Sequence, residues 1–300
     1  MNLKRIEKIN HCILLFSLLS AISIISSTET IIKDGQIELS VNSQGGLIQL
    51  ERKVKDADNE IVISTKKLTI KPLSIKEIDS NSSSLNSNNF YRHQISDLSN
   101  TNFELSSTQV VEIEENPCTK ISFTYDLIQN ISGKLIITLY LFYESGELTY
   151  KEEELDINEG SMKLSVGIED WYFCQTEANC KVNDTCCTNI DGNISQGQFL
   201  EVDFAVDAEV SGSTSEALQY LIGAEEENDD IFKIYLPDNM IISNTLTEVP
   251  EGYPKTTEQG FRYRIPRFNG NAVYSPLVNV SDCSFLLYSN IILSLFMFLL

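Results

Sequence analysis

The stretch from Leu200 to Val210 constrains the fold more than any other part of the chain. Its apolar residues Leu200, Val202, Phe204, Val206, Ala208 and Val210 alternate with Glu201, Asp203, Ala205, Asp207 and Glu209. A period of two belongs to a β-strand, whose successive side chains point to opposite faces, and it does not fit a helix. One face therefore lines a core, and the acidic face is expected in water.

The same period recurs. Ile121, Phe123, Tyr125 and Leu127 alternate with Ser122, Thr124 and Asp126, and Met162, Leu164, Val166 and Ile168 with Lys163, Ser165, Gly167 and Glu169. Leu135 to Tyr143 is apolar on both parities, as a central strand covered on each side would be, and the turn Glu144-Ser145-Gly146-Glu147 follows it. Further strands are expected at Ile37 to Val41, Leu47 to Val54, Ile61 to Ser64, Val110 to Ile113, Ile231 to Leu236, Phe261 to Ile265 and Ala272 to Val278. Ser215 to Ala224 is the one short helix the pattern allows. Many short strands separated by turn residues predict an all-β fold, a β-sandwich or related barrel. The Ser/Asn-rich tract Asp79 to Asn89 reads as a flexible loop dividing N-terminal strands, 29–89, from a main sandwich, 90–280.

Both ends of the chain carry apolar segments. Lys4, Arg5 and Lys8 precede the apolar run Cys12 to Ile25, and the small or polar Ser26, Ser27 and Thr28 follow it. That order predicts a signal peptide over 1–28, cleaved near Ser26 to Glu29, since the run is short of the ~20 residues a membrane span needs. Phe285 to Leu300 is apolar except at Tyr288, Ser289, Asn290 and Ser294, with no basic residue after it. The expectation is a glycosylphosphatidylinositol attachment signal over 281–300 rather than a retained helix. Attachment at Gly270, Asn271 or Ala272 would leave the usual spacer, but it would discard Cys283 and the strand-like run to Val280. Attachment within Ser281, Asp282, Cys283 and Ser284 is therefore expected.

Of seven cysteines, Cys12 leaves with the signal. Cys118, Cys174, Cys180, Cys186, Cys187 and Cys283 form an even set, expected to pair completely in an oxidising compartment. Four of them crowd into Trp171 to Asn193. Zinc ribbons space their thiolates as C-x₂₋₄-C pairs, and the wider spacing here, with no histidine nearby in sequence, predicts a disulfide-stapled loop between two core strands instead. Connectivity is open at this point. Sequons at Asn81, Asn130, Asn183 and Asn193 suit a secreted glycoprotein, while Asn279 lies too close to the proposed anchor.

A formal net charge of −21 repels phosphate backbones and excludes nucleic acid as a partner. The sharpest acidic run, Glu225, Glu226, Glu227, Asn228, Asp229 and Asp230, offers oxygen ligands for calcium but lacks an ordered D-x-[DN]-x-[DN]-G loop, so a solvated loop is the plainer reading. Removal of His11 leaves His93 as the sole histidine, read as a surface residue beside the flexible tract. A Ser-His-Asp site would have to be built on His93, and two-histidine zinc chemistry is out of reach. No Gly-rich phosphate loop is present, and no cofactor is expected. Carboxylate-pair glycoside hydrolysis remains open, because it needs only two acids flanking a cleft.

Near the end of one alternating strand stands Ile168-Glu169-Asp170-Trp171-Tyr172-Phe173, followed later by Arg264-Ile265-Pro266-Arg267-Phe268-Asn269 and Tyr274-Ser275-Pro276. This succession resembles a set of extracellular, often anchored β-rich ectodomains of protists and marine invertebrates. The resemblance spans Lys120 to Val280 and implies a shared β fold and a surface address, not an activity. Taken by themselves, Trp171 and Phe268 are core or disulfide-packing aromatics. The function expected is a non-catalytic ectodomain for adhesion, recognition or coat structure on the outer side of the plasma membrane. Its partner would be a cell-surface or matrix protein or glycan, and the alternative is a secreted carbohydrate-active enzyme.

Overall fold

A computed structural model describes residues 29–280, apart from 35–36, 56–61, 86–92, 128–132, 151–152, 177–178, 180–185, 213–220 and 223–231. The described residues are all β. In chain order the first strands are β1 (Glu29–Asp34), β2 (Ile37–Asn42), β3 (Leu47–Lys55), β4 (Val62–Ile78), β5 (Gln94–Ile95), β6 (Glu104–Leu105) and β7 (Gln109–Ile113). Next come β8 (Asn116–Leu127), β9 (Gly133–Phe142), β10 (Gly146–Tyr150), β11 (Glu153–Ile157), β12 (Met162–Glu169), β13 (Phe199–Gly212) and β14 (Leu221–Ile222). The last are β15 (Phe232–Tyr235), β16 (Asn239–Ile242), β17 (Thr245–Glu248), β18 (Lys255–Thr257), β19 (Gly260–Pro266), β20 (Asn271–Tyr274) and β21 (Leu277–Val280).

Two large sheets hold most of these. The first runs β1-β2-β3-β4-β13-β19-β18 with β5 beside β4, and the second is built around β12, which β9 and β8 flank on one side and β20 and β21 on the other. Every pairing is antiparallel except β14 with β15. Alternation does what the sequence implies: Leu39, Leu50, Leu68, Val202 and Phe204 of the first sheet and Phe123, Ile137, Leu139, Leu164 and Val166 of the second share one buried cluster. Tyr263 of β19 stacks on Tyr274 of β20 at 4.3 Å between ring centroids, which joins the sheets through their aromatic faces. Burying such side chains is the main driving force, at roughly 1.5–3 kcal/mol each. The β-sandwich expectation therefore holds.

Four expectations need correction. The Ser/Asn-rich tract does not divide the chain, because β4 on one side of it pairs along its length with β13, from Ser64 opposite Gly212 to Ile78 opposite Phe199. Its first half is ordered: Asp79 is buried and accepts from the backbone of Asn81 and Ser83, and Leu85 packs on Cys174 and Cys187. The single strand expected at Ala272 to Val278 is two, since Pro276 lacks an N–H and interrupts the ladder while its carbonyl accepts from Leu164. Glu144 to Glu147 is more than a turn, because Gly146 opens the unforeseen hairpin β10–β11. The helix expected at Ser215 to Ala224 falls mostly outside the described residues, and its described part, Leu221–Ile222, is a strand.

Candidate functional site

The chain crosses from β12 in the second sheet to β13 in the first through residues 170–198, and this crossing carries the Cys174–Cys187 disulfide. It closes over the end of β4. There Glu77, opposite Leu200 and therefore on the core face of the sheet, is fully buried. Its Oε1 accepts from the backbone N–H of Cys174 at 2.7 Å and its Oε2 from Trp171 Nε1 at 3.0 Å. His93 Nδ1 lies 2.7 Å from the same Oε2. A Cβ on Gly197 would sit 1.5 Å from Glu77 Oε1, so glycine there is a requirement of close approach. Arg267 Nη1 donates to the carbonyls of Cys174 and Gly197, and its guanidinium lies over the Phe173 ring, which meets Phe268 edge-on. His93 is thus buried, not a surface histidine: β4 and its neighbours bring it under the cystine. Trp171 and Phe268 are core aromatics, as read from the sequence.

On the other face of the same sheet two acids of β13 expected in water, Glu201 and Asp203, are buried, while Asp207 is exposed as expected. Glu201 lies directly opposite Lys76 of β4 and Arg264 of β19, and Asp203 opposite Ser74 and Arg262. Cross-strand neighbours of opposite charge attract, so the acids are covered by their partners. Glu201 accepts from Arg264 at 2.6 Å and from Tyr253 Oη at 2.5 Å and pairs with Lys76 at 3.0 Å. Burial pushes its carboxyl up, but these bonds outweigh burial and hold the pKa at about 2. Arg262 binds Asp203 in fork geometry, which raises the guanidinium pKa. Beside this lattice runs an open groove of about 630 Å³, lined by Ser74, Asp97, Asp203, Lys255, Glu258 and Arg262 among others.

A third feature is an acidic rim. Glu112, Glu114, Glu115, Glu144, Glu147, Glu154, Asp156 and Glu159 are all exposed around the β7–β8 turn and the β10–β11 hairpin. Leu148, Leu155 and Ile157 face inward onto Phe142 and Leu277, which fixes Glu147 and Asp156 side by side on the outer face. Glu114 Oε2 accepts from the Thr149 N–H, and Asn116 Nδ2 donates to the Glu147 carbonyl, tying turn to hairpin. The acidic density of 144–159 was visible in the sequence, but its placement on one outer face was not.

The cysteine expectation is corrected at one position. Cys118 is a free, buried thiol sealed by Phe142, Leu148, Ile157 and Leu277, and burial pushes its pKa up to about 11. Complete pairing of all six cysteines therefore does not hold. Cys186 is disulfide-bonded to a partner outside the described residues, where Cys180 and Cys283 also lie. Asn81 and Asn193 are exposed. Asn279 Nδ2 donates to the Asp156 carbonyl and its Oδ1 accepts from Ser161, so this amide is engaged in the fold. Asn130, Asn183, the run Glu225 to Asp230, the 1–28 segment and Ser281 to Leu300 fall outside the described residues. Lipid attachment at Gly270 to Ala272 would strip β20 and β21 from beside β12.

A two-sheet sandwich tied by the Cys174–Cys187 cystine is the fold of a protein that matures in an oxidising compartment. The model of the family described as acidic skeletal organic matrix protein matches residues 23–299, and the chain belongs to that family. It is accordingly an extracellular matrix protein, in keeping with the extracellular β-ectodomain resemblance. No solved structure matches the chain.

Proposed function

We propose that this chain is a non-catalytic structural component of an extracellular skeletal matrix, engaging cation-bearing matrix surfaces through the β10–β11 rim and held at the cell surface by a C-terminal lipid. The observation that carries the reading is the rim itself. Glu147 and Asp156 stand directly opposite one another, an arrangement that is unfavourable between like charges unless cations gather there. Membership in an acidic matrix family supports the same role.

Binding of the secreted chain to a calcium carbonate surface tests it. Replacing Glu144, Glu147, Glu154 and Asp156 together by glutamine should lower the bound fraction at least tenfold and leave the circular dichroism spectrum unchanged. Undiminished binding refutes the rim as the contact. Phosphatidylinositol-specific phospholipase should release the protein from intact cells. Retention, with peptides from Leu295 to Leu300 recovered, would mean a spanning helix.

The groove beside β18 is what favours the alternative of a glycan-active enzyme. Two of its carboxylates are ill suited to acid–base work. Asp203 is locked by Arg262 and Ser74, and the side chains of Ser99 and Asn100 hold the Asp97 carboxyl below its ordinary pKa, opposite to the raised value a general acid needs. Turnover of a glycan by the secreted chain would overturn this choice.

A further inference from the structure

The matrix role leaves the buried group under the crossing unexplained. Glu77, His93, Cys174 and Cys187 are each at most 2% exposed. A carboxylate that accepts from Trp171 and Cys174 is an acceptor toward His93 as well, which puts the ring proton on Nδ1. The other nitrogen, Nε2, is buried with no hydrogen-bond partner among the described residues. A buried polar atom without a partner costs roughly 1–3 kcal/mol and calls for a reason. A ring nitrogen of His93 and the two Sγ atoms all lie within 4.8 Å of one another; Nδ1 is engaged by Glu77, which leaves Nε2 as the nitrogen free to ligate.

We propose that His93, Cys174 and Cys187 form a metal site in the dithiol form of the chain, taking a zinc-class divalent ion, and that the cystine is the closed, oxidised form of that site. Two thiolates and one imidazole are a donor set such ions favour. Tetrahedral ligation at ~2.3 Å places two sulfurs ~3.8 Å apart, a separation that cysteines with Cα atoms 5.7 Å apart can span by side-chain rotation. Glu77 supplies the outer partner: a metal-bound histidine characteristically donates its second N–H to a carboxylate, which sets the ring and raises its basicity. Charges also balance, because two thiolates and Glu77 oppose the divalent ion and Arg267, whose Nη1 donates to the Cys174 carbonyl beside the site.

The chemistry is closed. Every cystine is made from two thiols, so the dithiol form precedes the cross-link. On binding, Cys174 and Cys187 each lose a proton, 2 RSH + M²⁺ → M(SR)₂ + 2 H⁺, while Nε2 contributes its lone pair. Oxidation by thiol–disulfide exchange then passes two electrons to a partner disulfide, which takes up two protons from water and leaves as a dithiol, and the ion is released as the S–S bond forms, M(SR)₂ + R′SSR′ + 2 H⁺ → RSSR + M²⁺ + 2 R′SH.

The test uses the full secreted chain, reduced anaerobically with a water-soluble phosphine and titrated with Co²⁺. One ion should bind, with thiolate-to-cobalt charge-transfer absorption and the intense visible bands of a tetrahedral site, and the oxidised chain should show neither. Glu77→Gln and His93→Gln should each weaken binding at least tenfold. X-ray absorption of the Zn²⁺ complex of the unmodified chain should show two sulfur ligands and one imidazole, whether or not the variants fold. A sulfur-only shell, equal affinity in His93→Gln, or no binding by the reduced chain overturns the proposal.

Discussion

Lys76 and Glu77 are neighbours on β4 that point to opposite faces of one sheet, and each sits beside a buried acid's worth of charge. Outward, Lys76 joins Glu201, Asp203, Arg262 and Arg264, a lattice whose members are supplied by adjacent strands in register. Inward, Glu77 is satisfied by Trp171 and Cys174 of the crossing and by His93, which extends the β4–β5 pairing by accepting the Glu77 N–H on its carbonyl. The outer lattice is redundant and grades into solvent, so losing one member leaves others. The inner node has no spare partner, and it couples the sheet edge to the loop crossing. Charge in the same sheet is therefore graded on one face and all-or-none on the other.

Replacing Glu77 by alanine should separate the two regions most sharply. Three buried donors lose their acceptor, so unfolding in denaturant should show a loss of about 3–5 kcal/mol. A loss under 1 kcal/mol would mean that the node is not what holds the crossing. Gly197→Ala probes the same node by volume alone: the added methyl must displace Glu77, at an expected cost of about 1–3 kcal/mol measured by the same denaturation.

The lattice should respond to pH instead. Glu201 has a folded pKa of about 2 against an ordinary value of 4.5. Its stabilisation is present above pH 4.5 and is lost as pH falls toward 2, by on the order of 2–3 kcal/mol. Glu201→Gln should flatten that part of the stability–pH curve, and an unchanged acid limb would place the titration elsewhere. The smallest effect belongs to the exposed rim. Asp156→Lys, opposite Glu147, should stabilise by about 0.2–1 kcal/mol at low salt and lose the gain in high salt. Destabilisation would show that the rim's like charges are not in conflict.

The strands were legible wherever only one face is apolar. Leu200 to Val210 and Met162 to Ile168 advertise themselves because a core on one side and charged or polar groups on the other impose alternation. Strand β4 was read only at its start, since Lys66, Lys67, Lys71 and Lys76 mask its inward residues Leu68, Ile70 and Ile75. Within it, Glu77 stands where Ile75 and Leu200 predict an apolar residue. That break in register is the one signal by which the node was open to discovery.

Local patterning by itself determined that the chain is all β, acidic and disulfide-containing, because strand alternation and net charge depend on residue order and type alone. Only the tertiary structure decided which acids face water, that Cys118 stays unpaired, and that His93 meets a cystine far away in sequence. Those outcomes depend on which strands become neighbours. Register across a sheet and a crossing between two sheets set distances between residues that no local period encodes.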